Sequence, residues 1–183
     1  MKGYERPFPQ FSLCGLNCGL CPMHIGNYCP GCGGGAGHQP CAFIRCSRTH
    51  GDVEYCSQCA DFPCPRFAEA QLYDSFLPHG NMTRDLERAK AIGMPAYGQE
   101  LAKKRKALDV LLARYNDGQR KSFFATAVNL LPLEDIETVL AQLAAQAAPG
   151  AEQKERAAAA ARLLQAVTME RGIVLKLRKK PKE

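Results

Sequence analysis

The chain has 183 residues, of which 23% are charged and 46% hydrophobic, with a formal net charge of +6. This length suits one domain or two small ones, and the composition is that of a globular protein rather than a disordered or fibrous one. No run of 18 apolar residues is present, and the N-terminus lacks the apolar segment of a signal peptide. We therefore expect a cytoplasmic protein without a membrane span, in which clustered cysteines stay reduced and bind metal.

The first 64 residues predict an irregular, cysteine-rich module. Phe11 and Leu13 suggest a short strand within residues 1–13, leading into the first cysteine. Residues 14–64 contain nine glycines and four prolines but few large apolar side chains. A structural zinc ion contributes about 10–16 kcal/mol of apparent binding free energy to such a segment. We infer that metal, rather than hydrophobic burial, folds this part of the chain.

All ten cysteines of the chain lie within residues 14–64, and their spacing is typical of metal ligands. Three Cys-x-x-Cys pairs are present, and such pairs place two thiolates on one tight loop. The full set of candidate ligands is Cys14, Cys18, Cys21, Cys29, Cys32, Cys41, Cys46, Cys56, Cys59 and Cys64. Because zinc takes four ligands in a tetrahedron, ten cysteines predict about two zinc ions.

Several pairings of these cysteines fit the spacing. The simplest assignment gives one site to the two pairs within residues 18–32 and draws a second site from the five cysteines within residues 41–64. Cys14 is the odd member, which could replace Cys18 or Cys21, and interleaved ligation also fits. The three histidines of this segment, His24, His38 and His50, could ligate as well, but ordinary loop positions are preferred.

An iron–sulfur cluster is the alternative cofactor. Cys21, Cys29 and Cys64 each precede a proline, as cluster ligands often do. The bacterial ferredoxin run spaces its first three cysteines by two residues, whereas the first two cysteines of this chain are separated by three. The spacing therefore favours zinc, with an iron–sulfur redox or sensing protein as the second hypothesis.

The order of these motifs resembles a known family. Cys-Gly-Leu-x-Cys-x-x-Cys-Pro, then Cys-x-Gly-Cys, Cys-x4-Cys and Cys-x-x-Cys-x-x-Phe-Pro-Cys look like the bacterial and archaeal domain of unknown function 3795. The resemblance covers residues 14–67 and includes Pro22, Gly31, Phe62 and Pro63. It implies zinc binding, and it implies no activity or substrate because none is established for that family.

Helices are predicted for most of the remaining chain. Two short helices are expected over 67–76 and 84–92, the second N-capped by Asn81 or Thr83 and ended by Gly93. Residues 96–171 read as four helices with apolar faces at helical spacing. Their predicted boundaries are Asn116-Asp117-Gly118, Pro132, Pro149-Gly150 and finally Gly172.

The C-terminal end carries most of the positive charge. Residues 1–70 hold five basic and five acidic side chains, so the net charge of +6 belongs to the rest of the chain. A short strand is expected over 173–177 and an unstructured end over 178–183. The basic runs at 103–106 and 176–182 suggest nucleic-acid binding only weakly, since no aromatic residues are interleaved with them.

Together these features predict an α-helical protein with a small irregular module stabilised by metal. Residues 1–70 would form the cysteine-rich zinc-knuckle module, 71–95 a connection of helices and loop, and 96–183 a helical domain with a basic tail. The module would be packed on, or tethered to, the helical bundle. We expect a zinc-binding protein that binds an unknown protein partner or serves as a structural module, rather than an enzyme.

Overall fold

The computed structural model describes residues 3–37, 41–146 and 150–181. Within these ranges the chain forms eight α-helices, two 3-10 turns and no β-strand. The helices are α1 (Pro22–Ile25), α2 (Ala42–Thr49), α3 (Pro65–Ala70), α4 (Met82–Ile92), α5 (Met94–Arg114), α6 (Lys121–Leu130), α7 (Leu133–Ala145) and α8 (Gln153–Glu170). The 3-10 turns are Cys18–Leu20 and Cys56–Gln58. The predicted helical fold class is therefore confirmed at this level.

The two predicted strands were wrong. Residues 3–13 form turns interrupted by two prolines, and the β-bridge between Glu5 and Gly34 is isolated rather than part of a ladder. Residues 173–177 have an irregular backbone. An isolated extended segment has no neighbouring strand to pair its backbone N–H and C=O groups, so alternation of apolar residues alone is not enough to form a strand.

The chain divides into two compact units, Met1–Leu101 together with Leu177–Glu183, and Ala102–Lys176. The predicted boundaries at residues 70 and 95 fall inside the first unit, so residues 71–95 belong to that unit by their contacts. Helix α5 begins in unit one and continues into unit two.

Unit one has a hydrophobic core built from the cysteine-rich segment and the helices after it. The Phe11 ring is fully buried, with its centroid 4.6 Å from that of Tyr97 in α5 and 5.7 Å from that of Tyr55. Gly15 has a φ of +91°, and a Cβ atom there would come within 2.2 Å of the carbonyl oxygen of Met82 in α4. Only glycine allows this close approach of the loop to the helix.

Helix α4 turns one apolar face toward this core. Its buried residues Met82, Leu86 and Ala89 follow the spacing of a single helical face. The helix ends at Gly93, which has a positive φ, as the sequence predicts. Asn81 occupies the N-cap position, although its side chain makes no capping hydrogen bond.

The C-terminal segment is tied to unit one through Arg178. The carboxylate of Asp74, whose side chain is only 2% exposed, accepts hydrogen bonds from Nη2 and from the backbone N–H of Arg178, both at 2.7 Å. The backbone N–H of Asp74 in turn donates to the carbonyl oxygen of Arg178 at 2.8 Å. The prediction of an unstructured end therefore fails at this residue.

Unit two is a helical bundle formed by the later part of α5 with α6, α7 and α8. Helix α8 packs on both α6 and α7, with Ala157, Ala160 and Ala161 among its buried residues. Small side chains allow the helices to approach closely. The predicted ends near residues 116 and 132 are confirmed, whereas Pro149 lies outside the described residues.

Across the described residues, none of the helices combines the length with the apolar character that crossing a bilayer requires.

Candidate metal centre

Two of the Cys-x-x-Cys pairs adopt the same backbone conformation. In the Cys18–Leu20 turn the N–H of Cys21 donates to the carbonyl oxygen of Cys18 at 3.0 Å, and Cys59 donates to Cys56 at the same distance. In both cases the second cysteine then leaves the turn in an extended conformation. Residues three apart in a 3-10 turn lie on the same side, so each turn presents its two thiols together.

The third pair is held differently. The N–H of Cys32 donates to the carbonyl oxygen of Pro9 at 2.9 Å, which fixes this loop to the N-terminal segment. Gly31, between the two cysteines, has a φ of +87°, and a Cβ atom there would lie 2.5 Å from the same carbonyl oxygen. The glycine in Cys-x-Gly-Cys is thus required by a close backbone contact.

Four of the thiols surround one small cavity, which we call the four-cysteine cavity. Its lining includes Cys46 from α2, both cysteines of the Cys56–Gln58 turn region (Cys56 and Cys59), and Cys64. The cavity has a volume of about 20 Å³. That volume is enough for one atom the size of a water molecule.

Three phenylalanines shield the four-cysteine cavity. Phe43, Phe62 and Phe67 line it, and the ring centroid of Phe67 lies 5.1 Å from that of Phe43 and 5.2 Å from that of Phe62. Aromatic pairs at these separations pack favourably. The thiols are therefore backed by apolar side chains that keep bulk water away from one side.

A second set of thiols gathers around Cys18, which we call the Cys18 group. Burial raises the pKa of Cys18, and the charges of neighbouring thiols, including Cys14, Cys32, Cys21 and Cys29, raise it further. Burial likewise raises the pKa of Cys21, with a contribution from Cys29. Neighbouring thiols oppose each other's ionisation in this way unless a cation stands among them.

Cys14 lies near both sets of thiols. It is buried, its sulfur lies 3.2 Å from Oγ of Ser12, and burial raises its pKa to about 12 despite that hydrogen bond. Its charge also raises the pKa of Cys56 in the four-cysteine cavity, where burial is again the largest cause. Cys41, which the sequence assigns to the second site, has Cys14 among its electrostatic neighbours and does not line the cavity.

The structure gives the three histidines different positions. Nδ1 of His50 lies 2.8 Å from the carbonyl oxygen of Cys46 and 3.6 Å from its sulfur, and the ring lines the four-cysteine cavity. His24 instead contacts the carbonyl oxygen of Cys29 through its own Nδ1, at 3.0 Å. His38 lies outside the described residues. The sequence names His50 as a possible ligand but favours an ordinary loop position; the structure places it four residues after Cys46, at the end of α2, where the two side chains lie close together.

Arg6 is buried and contacts Tyr55, which precedes Cys56, and Gly33, which follows Cys32. Arg6 donates from Nη1 to the carbonyl oxygen of Phe11 at 2.8 Å, and its guanidinium carbon lies 4.5 Å from the centroid of the Tyr55 ring. Its backbone N–H donates to the carbonyl oxygen of Gly33. The remaining nitrogens Nε and Nη2 are buried and have no hydrogen-bond partner among the described residues. Sequence reasoning missed this residue because nothing in the local pattern marks it as buried.

The thiols do not form a complete metal site. Within the described ranges, no group of three or more His, Cys, Asp or Glu side chains has the arrangement that holds a metal ion. The four cysteines around the cavity belong to the donor class that zinc prefers. The ligation of all ten cysteines stays a prediction.

No family model, curated protein or solved structure matches this chain.

Proposed function

We propose that residues 14–64 form a zinc-binding module with a structural or partner-binding role. The observation that carries the proposal is the convergence of Cys46, Cys56, Cys59 and Cys64 on one cavity, although they come from segments up to 18 residues apart in the sequence. Four thiolates complete the tetrahedral coordination of a structural zinc ion and leave no open position for a substrate. The Cys18 group, together with Cys41 near Cys14, would hold the second ion, with ligands drawn from Cys14, Cys18, Cys21, Cys29, Cys32 and Cys41.

The donor set of the four-cysteine cavity favours a structural zinc site, because four thiols line it and two of them belong to one Cys-x-x-Cys pair. An iron–sulfur cluster uses the same type of ligand, so the metal analysis distinguishes the two cofactors.

The buried Arg6 supports an anionic centre. Burying a guanidinium without enough partners is costly, unless nearby negative charge compensates. Four thiolates around one Zn²⁺ carry two net negative charges, and Arg6 lies over Tyr55, the residue before Cys56. The unpartnered nitrogens of Arg6 are therefore suited to face the charge that the loaded module acquires.

Nucleic-acid binding receives no specific support from the basic run at 103–106. Lys104 is buried and donates from Nζ to the carbonyl oxygen of Leu131 at 2.7 Å. Arg105 pairs with Asp109 at 2.9 Å. Two of the four cations of this run are thus already engaged within unit two.

Metal content tests the proposal. Protein purified without oxygen should be colourless and contain about two zinc ions per chain by elemental analysis. Cys56→Ser should lower this to about one ion, while Tyr28→Phe, a change at a residue that is 78% exposed, should leave it unchanged. Iron with acid-labile sulfide would establish the cluster instead. Protein with no bound metal, and no affinity for added zinc, would refute the proposal.

A further inference from the structure

Unit two contains a groove that the proposed zinc module does not use. It lies where the last turn of α5, the end of α7 and the first half of α8 meet, and its volume is about 580 Å³. This is within the range of small-molecule sites, which is about 300–1,000 Å³. Gln153 fixes the start of α8 here, because its Nε2 donates to the carbonyl oxygen of Asn116 at 2.9 Å. This hydrogen bond ties the start of α8 to the segment that follows α5.

The charges in the groove are mostly positive. Arg114, Arg156 and Arg162 line it against a single acid, Glu155. None of the three guanidinium groups lies within 4.0 Å of a carboxylate in the described part of the chain; Arg156 donates to the side-chain oxygen of Gln153. The carboxylate of Glu155 accepts from the backbone N–H of Glu152 at the start of the helix.

The dipole of a helix explains only one of these arginines. Arg114 lies in the last turn of α5, where a cation offsets the partial negative charge of the helix end. Arg156 lies in the first turn of α8, where the dipole disfavours a cation, and Arg162 lies near the middle of the helix, where the dipole has little effect. Rotation of about 100° per residue places them within an arc of about 120° on α8, on either side of Ala159. Their shared face points to a ligand.

The floor of the groove is apolar. Tyr115 and Leu143 are both buried, and Ala159 between the two α8 arginines is half-buried. Arginines bind phosphate oxygens through paired hydrogen bonds, and an aromatic ring packs against a flat apolar body. We propose that this groove binds a small organic phosphate, with the phosphate groups on the arginines and the apolar body on the floor.

Calorimetric titration of the full chain with ADP, and separately with inorganic pyrophosphate, tests the proposal. Both ligands should bind. Arg162→Gln should lower the affinity for ADP about tenfold, which is the loss expected for a charge-assisted hydrogen bond to phosphate. Lys154→Gln is the matched control: it removes one positive charge from an exposed position of the same helix that does not line the groove. Ala159→Leu should lower the affinity for ADP more than that for pyrophosphate, because the larger side chain occupies the apolar floor on which the body of ADP would pack.

Three results would overturn the proposal. The first is no ADP binding at millimolar concentration. The second is an equal loss of affinity in Arg162→Gln and Lys154→Gln, which would indicate only a general charge effect. The third is binding of a single-stranded oligonucleotide through the same arginines without displacement by ADP. That result would assign the groove to nucleic acid. None of these binding measurements depends on zinc, so a failure of the phosphate proposal can be distinguished from a failure of the zinc proposal.

Discussion

A buried network of polar side chains joins the cysteine-rich loop to the helices of unit one. Nδ2 of Asn17 donates to Oδ2 of Asp85 in α4 at 2.8 Å, and the hydroxyl of Tyr97 in α5 donates to Oδ1 of Asn17 at 2.9 Å. Exposures of these residues are 3%, 5% and 4%. Burial and the charge of Asp85 raise the pKa of Tyr97, so its hydroxyl keeps the proton that it donates. Because Asn17 directly precedes Cys18, the network fixes the first cysteine turn.

Replacing Tyr97 with phenylalanine removes one donor and keeps the ring. Oδ1 of Asn17 then loses the donor supplied by Tyr97 at a site where little water can replace it. Leaving a buried acceptor unsatisfied costs about 1–3 kcal/mol. We expect Tyr97→Phe to lower the free energy of unfolding by that amount, measured by urea denaturation. The amide of Cys21, which closes the Cys18–Leu20 turn, should also exchange its hydrogen faster.

Tyr28→Phe is the matched control for this experiment. It removes the same hydroxyl from a residue that is 78% exposed, and surface changes of this kind stay within about 0.5 kcal/mol. Equal stability losses in Tyr97→Phe and Tyr28→Phe would refute the network's role. A loss of stability without faster exchange at Cys21 would show that the network supports the core but not the cysteine turn.

Three further predictions address the tail, the loop contact and the buried cation. Burial alone would raise the pKa of Asp74, but hydrogen bonds from Arg178 and from the N–H of His79 outweigh it and hold that pKa below its ordinary 3.8. These hydrogen bonds therefore stabilise the fold fully above pH 3.8, and the stabilisation is lost as the pH falls through the pKa of Asp74 in the folded protein. Asp74→Asn should speed exchange of the Arg178 amide at neutral pH. Gly15→Ala should cost more than about 1 kcal/mol of unfolding free energy. Arg6→Gln should weaken zinc binding in a chelator competition.

Each of these three has its own control or contrary result. Gly51 also has a positive φ but has open space around it, so Gly51→Ala measures the backbone strain without the clash. A stability loss in Gly15→Ala no larger than that in Gly51→Ala would contradict the close approach to α4. Arg48→Gln, at an exposed position, is the control for Arg6. Equal zinc affinity in Arg6→Gln and Arg48→Gln would count against a role for Arg6 beside the metal. An Arg178 amide that exchanges equally fast at pH 7 with and without Asp74→Asn would count against the contact between Asp74 and Arg178.

The helices that the sequence predicts well are those with strong local signals. Helix α4 ends at Gly93, and α7 follows Pro132 with Glu134 and Asp135 in its first turn, where acidic residues offset the helix dipole. Helix α2 was not predicted, since its eight residues lie among cysteines and only one turn of its buried face, from Phe43 to Ser47, is apparent. Short helices carry too little periodicity to be recognised.

The candidate site was predictable in composition but not in arrangement. Cysteine spacing predicts thiol donors, which stays a prediction, and it predicts tight turns, which the structure has at Cys18–Leu20 and Cys56–Gln58. Grouping around one cavity depends on how α2 and the Cys56–Gln58 turn meet, and no spacing rule encodes that contact. The pairing of Asp74 with Arg178, 104 residues apart, is beyond local pattern reasoning for the same reason.

The hydrophobic core of unit one changes what metal has to contribute to folding. Residues 14–64 have too few large apolar side chains of their own to fold by burial alone. Phe11 instead packs against Tyr97, and the loop at Gly15 packs against α4, so later helices supply apolar partners. The segment around the four-cysteine cavity also has apolar support, because α4 packs on the Cys56–Gln58 turn and Phe67 packs on Phe43, but four thiols line the same cavity. We therefore expect a metal to order that segment locally, while the core beneath α4 forms by burial.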